Sequence, residues 1–262
     1  MNLDFTIHKY ADLLAAFQQS GYRFLSLEQY LTLRAENKLP ERFVILRHDI
    51  DKRPTQALRV AEVEQNIGAK ASYYFRIVKE SNNPTVIRQI ADWGFEVGYH
   101  YEDMSLCNGN RENALKHFND SLAYFRQFYP VQTICMHGAP RSHYDSRDLW
   151  QQYDYRDFGI LGEPYFDVDF ADVFYLTDTG RRWDGYRVSV RDKIPEYQDR
   201  WTVQGLVFHT TNDIIKAIKN DTLPGHILMT THPQRWLSKP LLWLYELLRQ
   251  TAANSVKRCL VK

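Results

Sequence analysis

Two acids two residues apart, Asp49 and Asp51, close an apolar run in residues 43–54, FVILRHDIDKRP. Phe43, Val44, Ile45 and Leu46 have the apolar, partly β-branched character of a buried strand. Side chains alternate faces along a strand, so Arg47, Asp49 and Asp51 are expected on one side. Carboxylates that close repel unless a cation or proton lies between them. Arg47 supplies part of that neutralisation; a divalent metal would supply more. Three histidines follow other strand-like runs: His100, with Glu102 two residues on, His137 and His232. Acids and histidines that converge can hold a metal and leave one position for water. The pKa of that water falls from ~15.7 to ~7, so hydroxide is available at neutral pH. The bland alternative is solvated acids paired with Lys52 and Arg53, and histidines bonded only into structure.

Convergence requires the right elements. Apolar spacings of three and four predict helices over residues 10–20, 28–36, 55–66 and 111–128, and another opening at Asn83 and Pro84. Strands are expected over 43–46, 71–77, 95–100 and 131–137, with a short extended piece at 24–26. Strand and helix alternate three times in succession, which argues for a parallel sheet, open or closed into a barrel. In such an array the strand ends share one rim. The pattern loosens over 144–200, where short strands are expected at 159–161, 173–177 and 186–190. A helix at 212–219, a strand at 227–231 and a helix at 237–250 follow. With no repeat or linker, residues 1–262 read as one domain.

The bulk numbers narrow the classes. Across 262 residues the formal net charge is +1, which gives no electrostatic case for a nucleic-acid partner. Cys107, Cys135 and Cys259 are too scattered for a disulfide framework or a cysteine zinc site. The opening MNLDFTIHKYADLL has an early acid and no unbroken apolar core, so neither a signal peptide nor a membrane span is expected, and a cytoplasmic location is the default. His8, His117, His143, His209 and His226 fall in helices, loops or strand starts and are read as structural.

The order of an acid pair, then GFEVGYH, then HGAP, then LMTTH resembles the polysaccharide deacetylases of the NodB-homology group, over about residues 43–236. The resemblance implies a distorted (β/α)7 barrel, TIM-barrel-like, with parallel strands inside outer helices; residues 237–262 would add a closing helix and a basic tail. It implies a divalent metal, zinc in first place, and removal of an N- or O-linked acetyl group from a sugar or polysaccharide precursor, such as one for a surface polysaccharide. Asp49 would be the base, Asp51 a metal ligand, His232 the general acid and Arg141 a helper of the oxyanion. His100 matches the first of the family's two metal histidines. The second position is Met104, and Ile50 splits the family's adjacent acids. The expected ligand set is therefore Asp51, His100 and His137, with Glu102 in reserve or at the substrate. Trp183 and Trp236 are candidate sugar-stacking faces.

Two other readings compete. A catalytically inactive carbohydrate-binding relative would keep the barrel and lose turnover, as Met104 suggests. A metal phosphoesterase would use Arg181, Arg182 and Arg187 as a basic cluster, but there is no glycine-rich phosphate cradle. The helix at 237–250 is rich in leucine and is followed by the cations Lys257, Arg258 and Lys262. It reads first as a closing barrel helix and only second as a peripheral membrane contact.

Overall fold

Strand β2 (Phe43–Ile50) is buried along its whole length. In the computed structural model, which describes residues 3–184, 189 and 191–260 and side chains as far as Ser255, it is the middle of a seven-stranded parallel sheet. The others are β1 (Arg23–Leu25), β3 (Ser72–Phe75), β4 (Glu96–Tyr101), β5 (Ile134–Met136), β6 (Phe174–Thr177) and β7 (His226–Thr231). The wall runs β5-β4-β3-β2-β7-β6, and β1 pairs with the first half of β2. Because β7 pairs with Phe43 through His48 and β3 with Arg47 through Ile50, β1 and β3 share one side of β2.

The crossovers are helical for local reasons. Helix α1 (Ile7–Gln19) is capped by Thr6, and α2 (Leu27–Ala35) opens on a capping box from Ser26 and Gln29. Helix α3 (Thr55–Asn66) follows Pro54, and α4 (Pro84–Asp92) starts on Asn83 with proline in its first turn. The short α5 (Asp103–Leu106) precedes α6 (Arg111–Phe125), capped by Asn110. Then come α7 (Pro164–Asp167), α8 (Pro195–Val203), α9 (Thr211–Lys219) and α10 (Pro240–Leu260). A continuous apolar core runs from Phe5 to Trp236.

The sheet is curled, and the side-chain distances say so. In a flat sheet β5 would lie about 14 Å from β2, three spacings of ~4.8 Å. Yet His137 Nε2, just past β5, is 3.5 Å from Asp51 Oδ1, just past β2. The far side is bridged by side chains. Arg191 donates to the carbonyls of Gly138, Ala139 and Ser142, and Tyr165 donates to Asp192. The fold is thus a distorted (β/α) barrel, as expected, whose edge strands β5 and β6 are not paired with each other among the described residues.

Several sequence expectations need correction. The strand expected at 159–161 is a turn with one bridge, Thr133 to Gly162. The strand expected at 131–137 shrinks to β5, and helix α8 has no counterpart among the expected elements. The last helix begins at Pro240 and continues to Leu260. The strand expected at 186–190, Ser189 apart, lies outside the described residues, as does Arg187.

Alternation along β2 divides its polar residues between two layers. Arg47 and Asp49 point into the barrel, whereas His48 points out into the helix layer. There His48 bonds Thr231 and Glu64, and Glu64 also accepts from Tyr10 and Tyr73. Glu64 and these three partners, His48, Tyr10 and Tyr73, are fully buried. Removing that acceptor strands three buried donors, each worth ~1–3 kcal/mol. Glu64→Ala is therefore expected to lose about 3 kcal/mol or more in denaturant unfolding; a loss under ~1 kcal/mol would contradict this.

Candidate metal centre

The ends of β2, β4, β5 and β7 bring five of the expected residues to one cavity of about 90 Å³, lined by Asp49, Asp51, His100, His137 and His232 together with Arg47, Asp192 and Tyr165. The donor atoms of Asp51, His100 and His137 all lie within 4.8 Å of one another. Asp51 Oδ1 is 3.7 Å from His100 Nε2 and 3.5 Å from His137 Nε2. These contacts are too long for hydrogen bonds, and Oδ1 is buried without a hydrogen-bond partner. Asp51 Oδ2 accepts from Gln234 at 3.0 Å, which fixes the carboxylate.

The imidazoles are aimed by their other nitrogens. His100 Nδ1 lies 2.9 Å from the Cys135 carbonyl, which can only accept, so Nδ1 carries the proton and Nε2 keeps its lone pair. His137 Nδ1 lies 2.8 Å from Glu102 Oε2, and Arg76 holds the other Glu102 oxygen. Burial would raise the Glu102 pKa, but its hydrogen bond with His137, with the His137 and Arg76 charges, holds it below the usual range. Two lone pairs and one orphaned carboxylate oxygen thus face a common point. This donor set fits a small divalent ion of the zinc type, with both histidines steadied from behind. Burial would raise Asp51 as well, yet the nearby imidazoles of His100, His137 and His232 hold its carboxyl well below the usual carboxylate range.

A second grouping, Asp49, His100 and Cys135, is less suited. Asp49 spends both oxygens on Arg47, at 2.9 and 2.7 Å. Burial pushes the Cys135 thiol well up, so it resists forming thiolate.

His232 faces the cavity from the other side, its Nε2 3.9 Å from Asp51 Oδ2. Its Nδ1 lies 2.6 Å from Asp178, a carboxylate that also accepts from Arg235, from the His232 backbone N–H and from Trp236 Nε1 at 2.8 Å. Burial and then the Arg235 charge oppose protonation of His232, but Asp178 outweighs them and its pKa is raised. Asp178 itself is lowered: burial works against this, and Arg235 and His232 overcome it. Sequence reasoning missed Asp178. It ends the apolar run at 173–177, so the rule that found the other strand-end acids would have found it. Asp192 was missed too. It accepts from Tyr165, Tyr175, Thr177 and Thr179, and it is lowered, against its burial, mainly by Arg47.

Four expectations are corrected here. Trp183 is 4% exposed, donates to Thr211 and lies among Phe5 and Trp236, so it presents no sugar-stacking face. Trp236 is fully buried and holds Asp178 instead. Arg141 is exposed and lies outside the cavity lining, which has Arg47, Arg191 and Arg235. Just before it, Ala139 takes a left-handed φ of 32°, and Pro140 lines the cavity. Glu102 is buried behind His137 rather than at the mouth. Met104 is buried in α5, in the core. Of the basic cluster in the phosphoesterase reading, Arg181 packs on Trp243 and Phe5 and Arg182 pairs with Asp184, while Arg187 lies outside the described residues.

No family model and no curated protein matches the chain. Among solved structures it is similar to Streptococcus pyogenes deacetylase PplD in complex with acetate, at 17% identity and TM-score 0.46, over 58% of this chain and 71% of that one. It is also similar to Bacillus subtilis PdaA, a family 4 carbohydrate esterase, at 12% identity and TM-score 0.42, over 91% and 83%. The Bacillus anthracis CE4 family pseudoenzyme BA3943 gives 13% identity and TM-score 0.41, over 84% and 66%.

Behind the cavity, Glu163 accepts the backbone N–H of Met136 and of Tyr165, and burial raises it to about 7. A raised carboxyl keeps its proton in the fold when the unfolded chain has lost it. Its contribution to stability is present below about 4.5 and is lost as pH rises through about 7. The span corresponds to about 3 kcal/mol. Glu163→Gln is expected to flatten the fall in unfolding free energy over that window; an unchanged slope would contradict the assignment.

Proposed function

We propose that this protein is a metal-dependent hydrolase that removes an acetyl group, N- or O-linked, from a sugar or polysaccharide precursor, as the polysaccharide deacetylases it resembles do. The observation that carries the reading is the orphaned Asp51 Oδ1 facing the lone pairs of His100 and His137. These three residues would hold the ion. Bound there, it would supply a water acidic enough to ionise near neutral pH and positive charge beside the substrate carbonyl.

The remaining work falls to the chain. Asp49, held by the bidentate Arg47 pair, stands beside the three donors, its Oδ2 3.6 Å from His100 Nε2. In this account Asp49 takes the proton of the attacking water. His232 carries a proton at Nε2 to the leaving nitrogen or oxygen, and Asp178 steadies both its charge and its tautomer. Arg191 is committed to three carbonyls of the loop after β5 and shapes the mouth. The cavity is narrow, about 90 Å³, and lined by polar and charged groups, which suits a small acyl group. The sugar would stay at the mouth while the acetyl enters.

The second reading, an inactive sugar-binding relative, keeps one specific support, the departure at Met104 from two histidines four residues apart. Metal analysis and acetate release from N- and O-acetylated saccharides separate the two. The wild type is expected to hold one zinc and to release acetate. His137→Ala is expected to weaken zinc binding at least ~10-fold, and unchanged stoichiometry and affinity would remove His137 as a ligand. Asp49→Asn is expected to keep zinc and lose turnover by ~100-fold or more; retained activity would remove it as the base. Zinc bound by the wild type without acetate release from any such substrate would favour the inactive reading.

Asp178→Asn is expected to lower kcat by ~100-fold or more with zinc content unchanged, because His232 loses its partner. Full activity in that variant would leave Asp178 a structural group only.

A further inference from the structure

Helix α10 carries its leucines on the wrong side for a helix that only closes a barrel. Leu241 is 86% exposed, Leu248 64%, Tyr245 56% and Leu244 48%. Their spacings of three and four place them on one stripe. The opposite face is the one the fold uses. Glu246 is buried there and pairs with Lys52 at 3.1 Å and Arg53 at 2.7 Å. Arg181 donates to the Trp243 carbonyl at 2.9 Å, and Asn254 donates to the Gly180 carbonyl at 2.8 Å. Lys52 and Arg53 follow β2, and Gly180 and Arg181 follow β6. Helix α10 therefore rests on the same rim as the cavity, with an apolar stripe turned outward.

Charge selects what covers that stripe. Residues 237–262 hold Lys239, Arg249, Lys257, Arg258 and Lys262 against one acid, Glu246. The whole chain has 33 Lys and Arg and 32 Asp and Glu, so residues 1–236 hold 28 against 31. The excess of positive charge is thus confined to the segment that bears the stripe. A second copy seated on it would set five cations against five. An anionic lipid surface meets both features: its acyl boundary takes the leucines and tyrosine, and its headgroups take the cations. We propose that α10 is an interfacial anchor that lays the cavity rim of this protein on an anionic membrane surface. No described helix is long and apolar enough to cross a membrane, so the contact is a helix lying in the interface. The proposal stands whether or not the deacetylase reading does.

The test is co-sedimentation of the full chain with vesicles of phosphatidylcholine alone and of phosphatidylcholine with phosphatidylglycerol, beside light scattering of the protein without lipid. Wild type is expected to pellet with the anionic vesicles and not with the neutral ones, less so at high salt. Leu241→Glu with Leu248→Glu is expected to abolish pelleting with an unchanged thermal transition, since both side chains are exposed. Lys257→Ala with Arg258→Ala is expected to weaken partitioning roughly 30-fold, at about fivefold per cation. No pelleting of wild type with anionic vesicles would overturn the proposal. So would equal pelleting by the leucine variant, or a lipid-free dimer that the leucine variant dissolves.

Discussion

One unmatched oxygen sets the terms for this structure. Asp51 Oδ1 is buried between two imidazole nitrogens at distances too long for hydrogen bonds. A buried polar atom left without a partner is costly. Here every neighbour is arranged to leave it so. Gln234 takes only the other oxygen, and both histidines direct their protonated nitrogens elsewhere. Such a vertex is stable when a cation completes it and strained when nothing does.

The barrel exists to make that vertex. Its curl brings the end of β5 beside the end of β2, and the outer layer keeps β2 in place by a separate polar cluster around Glu64. Inside, charges are ordered in pairs. Arg47 is committed to Asp49, Arg76 to Glu102 and Arg235 to Asp178. Each pair sets a cation against a buried carboxylate, and each frees a histidine or an acid to face the cavity. Asp51 has no arginine on its carboxylate among the described residues and, unlike Asp192 with its four hydroxyl donors, keeps one oxygen unpaired. It is the one that faces the two imidazole lone pairs.

Much of this was legible in the sequence, because it rests on strand periodicity. A polar residue ending an apolar run points to the rim whatever its partners are, which located Asp49, Asp51, His100, His137 and His232. The same logic extends to Asp178, hidden by the turn residues that follow it. What periodicity does not carry is the direction of a large side chain in a loop. Trp183 and Trp236 looked like platforms but are interior props, and the indole of Trp236 donates to Asp178. Arg141 sits past a left-handed Ala139, a backbone state the sequence pattern does not announce. Asp192 and Arg191 lie in the irregular stretch, where no repeat fixes a facing. The outward leucines of α10 were visible as an amphipathic pattern, but which face meets the barrel depends on Glu246 and its two partners.

The central claim is spatial, so the most direct measurement is crystallographic: an anomalous difference map at the zinc edge from crystals of the full chain grown with zinc. The account predicts one strong peak about 2.0–2.2 Å from Asp51 Oδ, His100 Nε2 and His137 Nε2. A map without a peak among these three atoms, or with the ion held by other residues, would contradict it.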